Sequence, residues 1–348
     1  MELFKETASM GHEQILFAQD KKTNLKAIIA VHSTVLGPAL GGMRIWHYQN
    51  EADALNDVIR LSYGMTLKNA AAGLPLGGGK MVVIGDATKL KSEAFFAACA
   101  RFINTFNGQY YTAEDVNTTT DDMDTMKRYT NFVVGTSDSS SDPSPYTAKG
   151  VLNGIKAAVK TKFGSDSLNG KTVAVQGLGN VGYRLCEHLH QEGAQLLVYD
   201  YDAKKIDRVT AEFGAVGVSQ SEILTSECDI LAPCALGAVI NDSVIDQLKC
   251  AIIAGSANNI LADSSIGSRL DKMGILYAPD YIINAGGVIN CGADLIDNHN
   301  EHYVWQKIDE IYDTTMKIFS LAQKQKIPTN QAADQFALAI IDKKKMAL

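Results

Sequence analysis

The stretch KTVAVQGLGNVGYRLCEHLHQEGAQLLVYD, residues 171–200, decides how the chain is read. A short apolar run meets Gly177, Gly179 and Gly182 in G-x-G-x-x-G spacing, an amphipathic run follows, and QLLVYD returns as a second apolar strand. In this context each glycine has its own task. The first permits a tight turn, the second lets a pyrophosphate approach the backbone, and the third lets helix pack on strand. Leu178, Asn180 and Val181 lie between them, at the positive end of the helix, where phosphates rest. Asp200 ends the second strand eighteen residues after Gly182, where an acid holds the adenosine ribose hydroxyls. Tyr201 and Asp202 follow in place of an arginine, so a 2′-phosphate meets repulsion and NAD is favoured over NADP; Lys204 and Lys205 are the cations close by.

Outward from this unit, short apolar runs (DILAPCA, AIIAGSA, ILYAP) alternate with helical or loop material. This β-α-β rhythm predicts a doubly wound parallel sheet, a Rossmann domain over residues 146–328. Residues 1–135 read as a separate α/β domain. KAIIAVH (26–32), KMVVIGD (80–86) and QYYTAEDV (109–116) are expected strands, and residues 51–73 and 92–108 are expected helices. Between the domains, GTSDSSSDPSP (135–145) is a candidate linker or mobile loop. From Asn298 a long helix carries Val304, Ile308, Ile311, Ile318 and Ala322 on one face. Pro328 breaks it before a last helix, 329–348, whose lysine run suits a helix C-terminus.

With 348 residues the chain is long enough for two cores. A net charge of −7 argues against nucleic-acid and anionic-membrane partners. The start, MELFKETASMGHEQ, lacks the pattern of a signal peptide and no apolar run is long enough to span a bilayer, so a cytoplasmic protein is expected. Six cysteines without a C-x-x-C pair read as buried thiols. His188 and His190 are two apart on a helix and point to different faces, so no metal site is expected.

The stretch GLPLGGGKMVVIGD (73–86) resembles a phosphate loop but fails on spacing, with Leu74 where the first glycine belongs and Met81 where the hydroxyl belongs. Lys80 therefore needs another role. On the helix over 51–73, Lys68 shares a stripe with Leu61, Met65 and Ala72, and Glu114 and Asp115 interrupt QYYTAEDV. Ionisable groups at element ends ahead of a dinucleotide fold suit amino-acid oxidation. One lysine would hold the substrate carboxylate, the other would act as general base, and Asp115 would carry the amino-group proton. The triple glycine would let substrate and nicotinamide approach Lys80. Snorkelling of Lys68 to the surface is the bland alternative.

GPALGGMRIWHY, GMTLKNAAAGLPLGGGK, YYTAEDVNTTTDDMD, DPSPYTAKGV, VQGLGNVG, ALGAVIND, AGSANN and APDYIINAGGVIN together resemble the glutamate/leucine/phenylalanine/valine dehydrogenase superfamily, and within it the leucine dehydrogenases. The resemblance runs from the first residues to about residue 340. It implies a substrate-binding and oligomerisation domain at residues 1–135, near which the last helix packs back, an NAD domain behind it, a cleft between them, and a homo-oligomer. By the same resemblance Lys68 binds the substrate carboxylate, Lys80 is the catalytic base and Asp115 assists proton transfer. Gly41, Gly42 and Asn258 lie near substrate and nicotinamide, and Thr147 lies near the cofactor.

The side-chain pocket implied by the resemblance comprises Leu40, Met65, Ala113, Val288 and Cys291. All are uncharged, so a substrate side-chain carboxylate would be buried without a partner and glutamate is rejected. Reversible, NAD-dependent oxidative deamination of leucine, valine or isoleucine to the 2-oxo acid and ammonium is the expectation. Phenylalanine-type specificity and a non-catalytic NAD-binding regulator are the alternatives. The chain departs from the family pattern at Met43, Asn117 and Cys291, which stand where threonine, glycine and valine are usual.

Overall fold

The computed structural model describes residues 10–138, 142–297 and 300–347. Residues 139–141 of the expected linker and 298–299 of the expected long helix lie outside the described residues. Contacts divide the chain into two compact units: Met1–Ser141 with Val288–Tyr303 and Ala337–Leu348, and Asp142–Gly287 with Val304–Phe336. Chain order put 288–303 with the Rossmann stretch, but their contacts lie in the first unit. A Cβ on Gly292, for example, would stand 3.1 Å from Leu76 and 3.8 Å from Leu40. The last helix, Thr329–Lys345, is shared, its residues from Ala337 onward belonging to the first unit.

In the first unit the strands are β1 (Gln14–Asp20), β2 (Leu25–Ser33), β3 (Ala39–Leu40), β4 (Met43–Trp46), β5 (Gly77–Ile84) and β6 (Tyr110–Tyr111). Their order is β1-β2-β5-β3-β6 with β4 also on β5; β1 and β2, and β2 and β5, are antiparallel, the other pairs parallel. β5 is buried from Gly77 to Val83, and its alternation splits two cores. Met81 and Val83 pack with Phe95, Cys99 and Ile103 of the helix Glu93–Asn104. On the other face, Val82 packs with Ala54, Leu55, Val58 and Ile59 of the helix Glu51–Ala71. Lys80, two residues before Val82, shares that helix-facing side.

The helix Glu51–Ala71 starts where Asn50 Oδ1 accepts from the Asp53 amide at 2.9 Å, with acidic residues in the first turn to complement its dipole. It stops before Gly73, whose φ of +67° ends the turn. Leu55, Val58, Ile59, Ser62 and Thr66 form its buried face, whereas the stripe Leu61, Met65, Lys68 and Ala72 is half-buried.

Two expectations need correction. The strand expected to begin at Lys80 begins at Gly77, so the three glycines before the lysine belong to β5. A Cβ on Gly77 would stand 1.9 Å from Ser33 O, one on Gly78 2.1 Å from Thr66 N, and one on Gly79 2.7 Å from the Tyr110 ring. Protein occupies the space that a ligand was expected to use at these three positions. Of QYYTAEDV, only Tyr110–Tyr111 join the ladder, and isolated bridges Thr112↔Val133 and Met43↔Glu114 carry the segment onward. Asn117, in the left-handed region at φ +61°, follows the segment.

The second unit holds β7 (Thr172–Gln176), β8 (Gln195–Tyr199), β9 (Val216–Gly217), β10 (Cys228–Pro233), β11 (Cys250–Ile253) and β12 (Leu276–Tyr277). All pair in parallel, in the order β12-β11-β10-β7-β8-β9. The chain leaves β7 toward β8 and later returns to β10 on its other side. The carboxyl ends of β7 and β10 therefore flank the switch point where open α/β sheets take ligands. In the helix Glu301–Gln325 the expected stripe Val304, Ile308, Ile311, Ile318 and Ala322 is buried throughout. Among the described residues no helix is long and apolar enough to cross a membrane.

Because a Cβ at Gly78 meets helix backbone, Gly78→Ala is expected to cost about 1–3 kcal/mol or more. Gly64, a helical glycine with nothing within 4 Å of its would-be Cβ, is expected to gain about 0.5–1 kcal/mol as alanine. Denaturant-unfolding midpoints of the two variants check both signs.

Candidate active site and dinucleotide site

Lys80 is 5% exposed in the middle of β5, with Nζ 2.9 Å from Asp115 Oδ2. The turn after Ala113 fixes the aspartate. Its amide donates to Thr118 Oγ1 at 2.8 Å, and that hydroxyl lies 2.9 Å from Met43 O. Asn117 takes φ +61° and its Nδ2 donates to Ile45 O at 2.9 Å, so asparagine supplies both the left-handed conformation and a tie to β4. The departure from glycine at this position is thus accommodated.

Arg44 also reaches the aspartate. Its Nε donates to the same Oδ2 at 3.0 Å, while Nη1 donates to Asp57 Oδ2 at 3.0 Å. Asp57 in turn accepts from the Tyr48 hydroxyl at 2.7 Å and from Arg60 at 3.0 Å. Burial opposes ionisation of Asp115, but Lys80 and then Arg44 outweigh it and hold the carboxyl at about 2. Glu114, the other half of the acidic pair, accepts from Thr120 Oγ1 at 3.1 Å.

Gly41 and Gly42 form a backbone floor beside this pair. A Cβ on Gly41 would lie 1.8 Å from Gly79 O and 3.2 Å from Met65 Cγ; one on Gly42 would lie 2.8 Å from Asp115 Cβ. Tyr110, fully buried, donates its hydroxyl to Gly41 O at 2.7 Å. Lys68 follows Met65 by three residues on the side of the helix that meets Gly41, half-buried in the last turn. Ala113 is brought alongside by its carbonyl, which accepts from the Met43 amide at 2.8 Å. Leu40 and Ala113 are buried, and Met65, Val288 and Cys291 are half-buried. Val288 and Cys291 sit on the helix Gly286–Ile296, next to the Gly292 that packs toward Leu40.

In the second unit the glycines divide as their spacing suggests. Gly177 has φ +98°, and a Cβ there would meet Ala235 N at 2.8 Å; a Cβ on Gly182 would stand 2.0 Å from Gly177 O. Gly179, by contrast, has nothing within 4 Å of its would-be Cβ, and it begins the helix Asn180–Gln191 without a side-chain cap. Open space over uncapped amides is what a pyrophosphate requires. Leu178 is buried, its amide donating to Asp200 Oδ2 at 2.7 Å, while Asp200 Oδ1 accepts from the Asp202 amide at 3.0 Å. Val181 is half-buried and Asn180 exposed. Lys205 Nζ lies 3.8 Å from Asp200 Oδ1. Thr147 Oγ1 donates to Pro143 O at 3.0 Å and borders Gly287, whose Cβ would come within 3.1 Å of it. Asn258 is exposed, with Oδ1 accepting from Asn284 Nδ2 at 2.9 Å.

Comparison with known proteins agrees with this geometry. Residues 12–132 match the model of the Glu/Leu/Phe/Val dehydrogenase dimerisation domain, and residues 140–202 and 195–347 match that of Glutamate/Leucine/Phenylalanine/Valine dehydrogenase. The chain belongs to this dehydrogenase family. It is 56% identical to a leucine dehydrogenase of Geobacillus stearothermophilus over 340 residues, covering 97% of this chain and 92% of that protein. A phenylalanine dehydrogenase of Lysinibacillus sphaericus is 45% identical over 333 residues, with 93% and 87% covered. The crystal structure of L-tryptophan dehydrogenase from Nostoc punctiforme superposes with a TM-score of 0.87 at 45% identity, covering 99% of each chain. Membership implies a nicotinamide dinucleotide cofactor, which the open cradle at Gly179 and the acid at Asp200 fit.

For this dehydrogenase family member, sequence reading missed the Arg44, Asp57 and Tyr48 group. The signal was present: in GGMRIW, an arginine sits between Met43 and Ile45, both fully buried in a parallel strand. Such a residue needs a partner. Among the described residues no cluster of metal ligands occurs.

The depressed Asp115 pKa fixes the sign of a pH effect. Its stabilising contribution is full above the ordinary carboxylate value of 3.8 and is lost as pH falls toward about 2. The difference in unfolding free energy between the wild type and Asp115→Asn is expected to be flat from about pH 8 to 5 and to shrink below about 4, as read by urea titrations at each pH.

Proposed function

We propose that the protein is a cytoplasmic, homo-oligomeric NAD-dependent dehydrogenase of branched-chain L-amino acids, leucine foremost. It converts amino acid, NAD and water reversibly to 2-oxo acid, ammonium and NADH. The observation that carries this reading is the pair of buried Lys80 and half-buried Asp115 at 2.9 Å beside an all-backbone floor, in a chain more than half identical to a leucine dehydrogenase.

In this reading Lys68 anchors the substrate carboxylate as a charged donor, and Asp115 accepts a proton from the substrate ammonium so that the amine is neutral when Cα gives up hydride. A nicotinamide held there would supply the hydride acceptor. Lys80, acting from its neutral amine form, then takes a proton from the water that adds to the imine and returns it to the departing ammonia. Gly41 and Gly42 lie along the substrate, and Leu40, Met65, Ala113, Val288 and Cys291 surround its side chain without offering a charge. Gly177, Leu178, Gly179, Asn180, Val181 and Gly182 hold the pyrophosphate; Thr147 and Asn258 lie near the nicotinamide. Asp200 takes the ribose hydroxyls, which favours NAD, although Lys205 partly offsets its charge.

Lys80→Ala is expected to lower kcat by on the order of 10² or more, and Lys68→Ala chiefly to raise KM for leucine. Comparable, mild effects of both would contradict the division of roles. Following NADH absorbance with leucine, valine, isoleucine and phenylalanine at alkaline pH tests the substrate class; silence with all four in a folded, NAD-binding protein defeats it. Asp200→Ala is expected to raise KM for NAD and, by uncovering Lys205, to narrow the gap to NADP.

A further inference from the structure

Two cations compete for one oxygen of Asp115. Lys80 Nζ at 2.9 Å and Arg44 Nε at 3.0 Å both bind Oδ2, and Oδ1 has no hydrogen-bond partner among the described residues. The Asp115 side chain is 20% exposed, so that second oxygen keeps access to a ligand. Arg44 is itself fixed. Its guanidinium spans from Asp115 to Asp57, and Asp57 is held by Tyr48 and Arg60, giving an alternating row of charges in which Arg44 cannot turn away without breaking two bonds.

We propose that Arg44 is a positioning residue for the reaction: by occupying Oδ2 together with Lys80, it locks the Asp115 carboxylate so that Oδ1 stays presented to the substrate ammonium. The inference rests on the proton-accepting role of Asp115 given above. Without Arg44, a carboxylate beside a single ammonium is free to rotate and present both oxygens to Lys80, and the acceptor for the substrate proton is withdrawn. Lysine is a poor replacement. Arg44 uses Nε toward one acid and Nη1 toward the other, a planar span that a single ammonium does not reproduce.

The test compares wild type, Arg44→Gln, Arg44→Lys and Lys80→Ala in leucine oxidation at saturating NAD, with near-UV circular dichroism as the check of folding. For Arg44→Gln we expect kcat about tenfold or more below wild type with KM for leucine within about twofold, the pattern of an interaction that acts after binding. Partial recovery of kcat by millimolar ethylguanidinium would support the positioning role, since a purely structural defect has no reason to respond. A folded Arg44→Gln enzyme with wild-type kcat, or one whose loss lies wholly in KM, overturns the proposal. Should Arg44→Gln fail to fold, Arg44→Lys decides. A kcat at least about threefold lower at unchanged KM supports the role, and wild-type kcat overturns it. Lys80→Ala separates the two levels: if it turns over normally, the catalytic reading itself fails, whereas a dead Lys80→Ala beside a normal Arg44→Gln removes only the role of Arg44.

Discussion

A buried lysine and a half-buried aspartate set the terms for the first unit. Taking both charges out of water is costly, and the attraction between them repays the cost only when the geometry is fixed and the remaining lone pairs are served. The fold meets that condition from three directions. β5 supplies Lys80 from a buried strand paired on both edges, the turn at Thr118 and Asn117 fixes the aspartate backbone, and Arg44 holds the carboxylate from β4. Asp115 stays ionised despite its burial because two cations share its Oδ2.

The same constraint explains the backbone around it. Strand, helix and loop come so close that no side chain fits between Gly41 and Gly79, or between Gly78 and Thr66. Close approach brings the half-buried Met65 against Gly41. In the second unit, crowding and openness alternate along one motif. Gly177 and Gly182 are filled in by protein, and Gly179 alone faces open space.

Much of this was legible in the residues themselves. The second unit could be read because each of its signals is local: an apolar run, three spaced glycines and an acid at a strand end all fall within thirty residues. Lys80 and Asp115 were visible as charges misplaced in apolar runs, although their mutual contact was not, since 35 residues separate them. What failed was local geometry that depends on distant partners. GGGK reads as a turn from composition, yet pairing with β2 and β3 draws it into a strand. β3 and β4, two and four residues long, are too short to announce themselves by periodicity. Arg44 stands out as a cation between two apolar residues, but its acidic partners lie 13 and 71 residues away. Helix Gly286–Ile296 begins among second-unit residues and continues among those of the first, which no linear division of the chain expresses.

The glycine floor has an evolutionary corollary. Gly41, Gly77, Gly78 and Gly79 already touch main chain or a buried ring, so a mutation there breaks the scaffold before it can alter selectivity. On the proposed function, drift toward larger or smaller substrates is thereby channelled to Met65, Val288 and Cys291, which are half-buried. A family built on such a floor can diversify its diet while leaving its chemistry untouched.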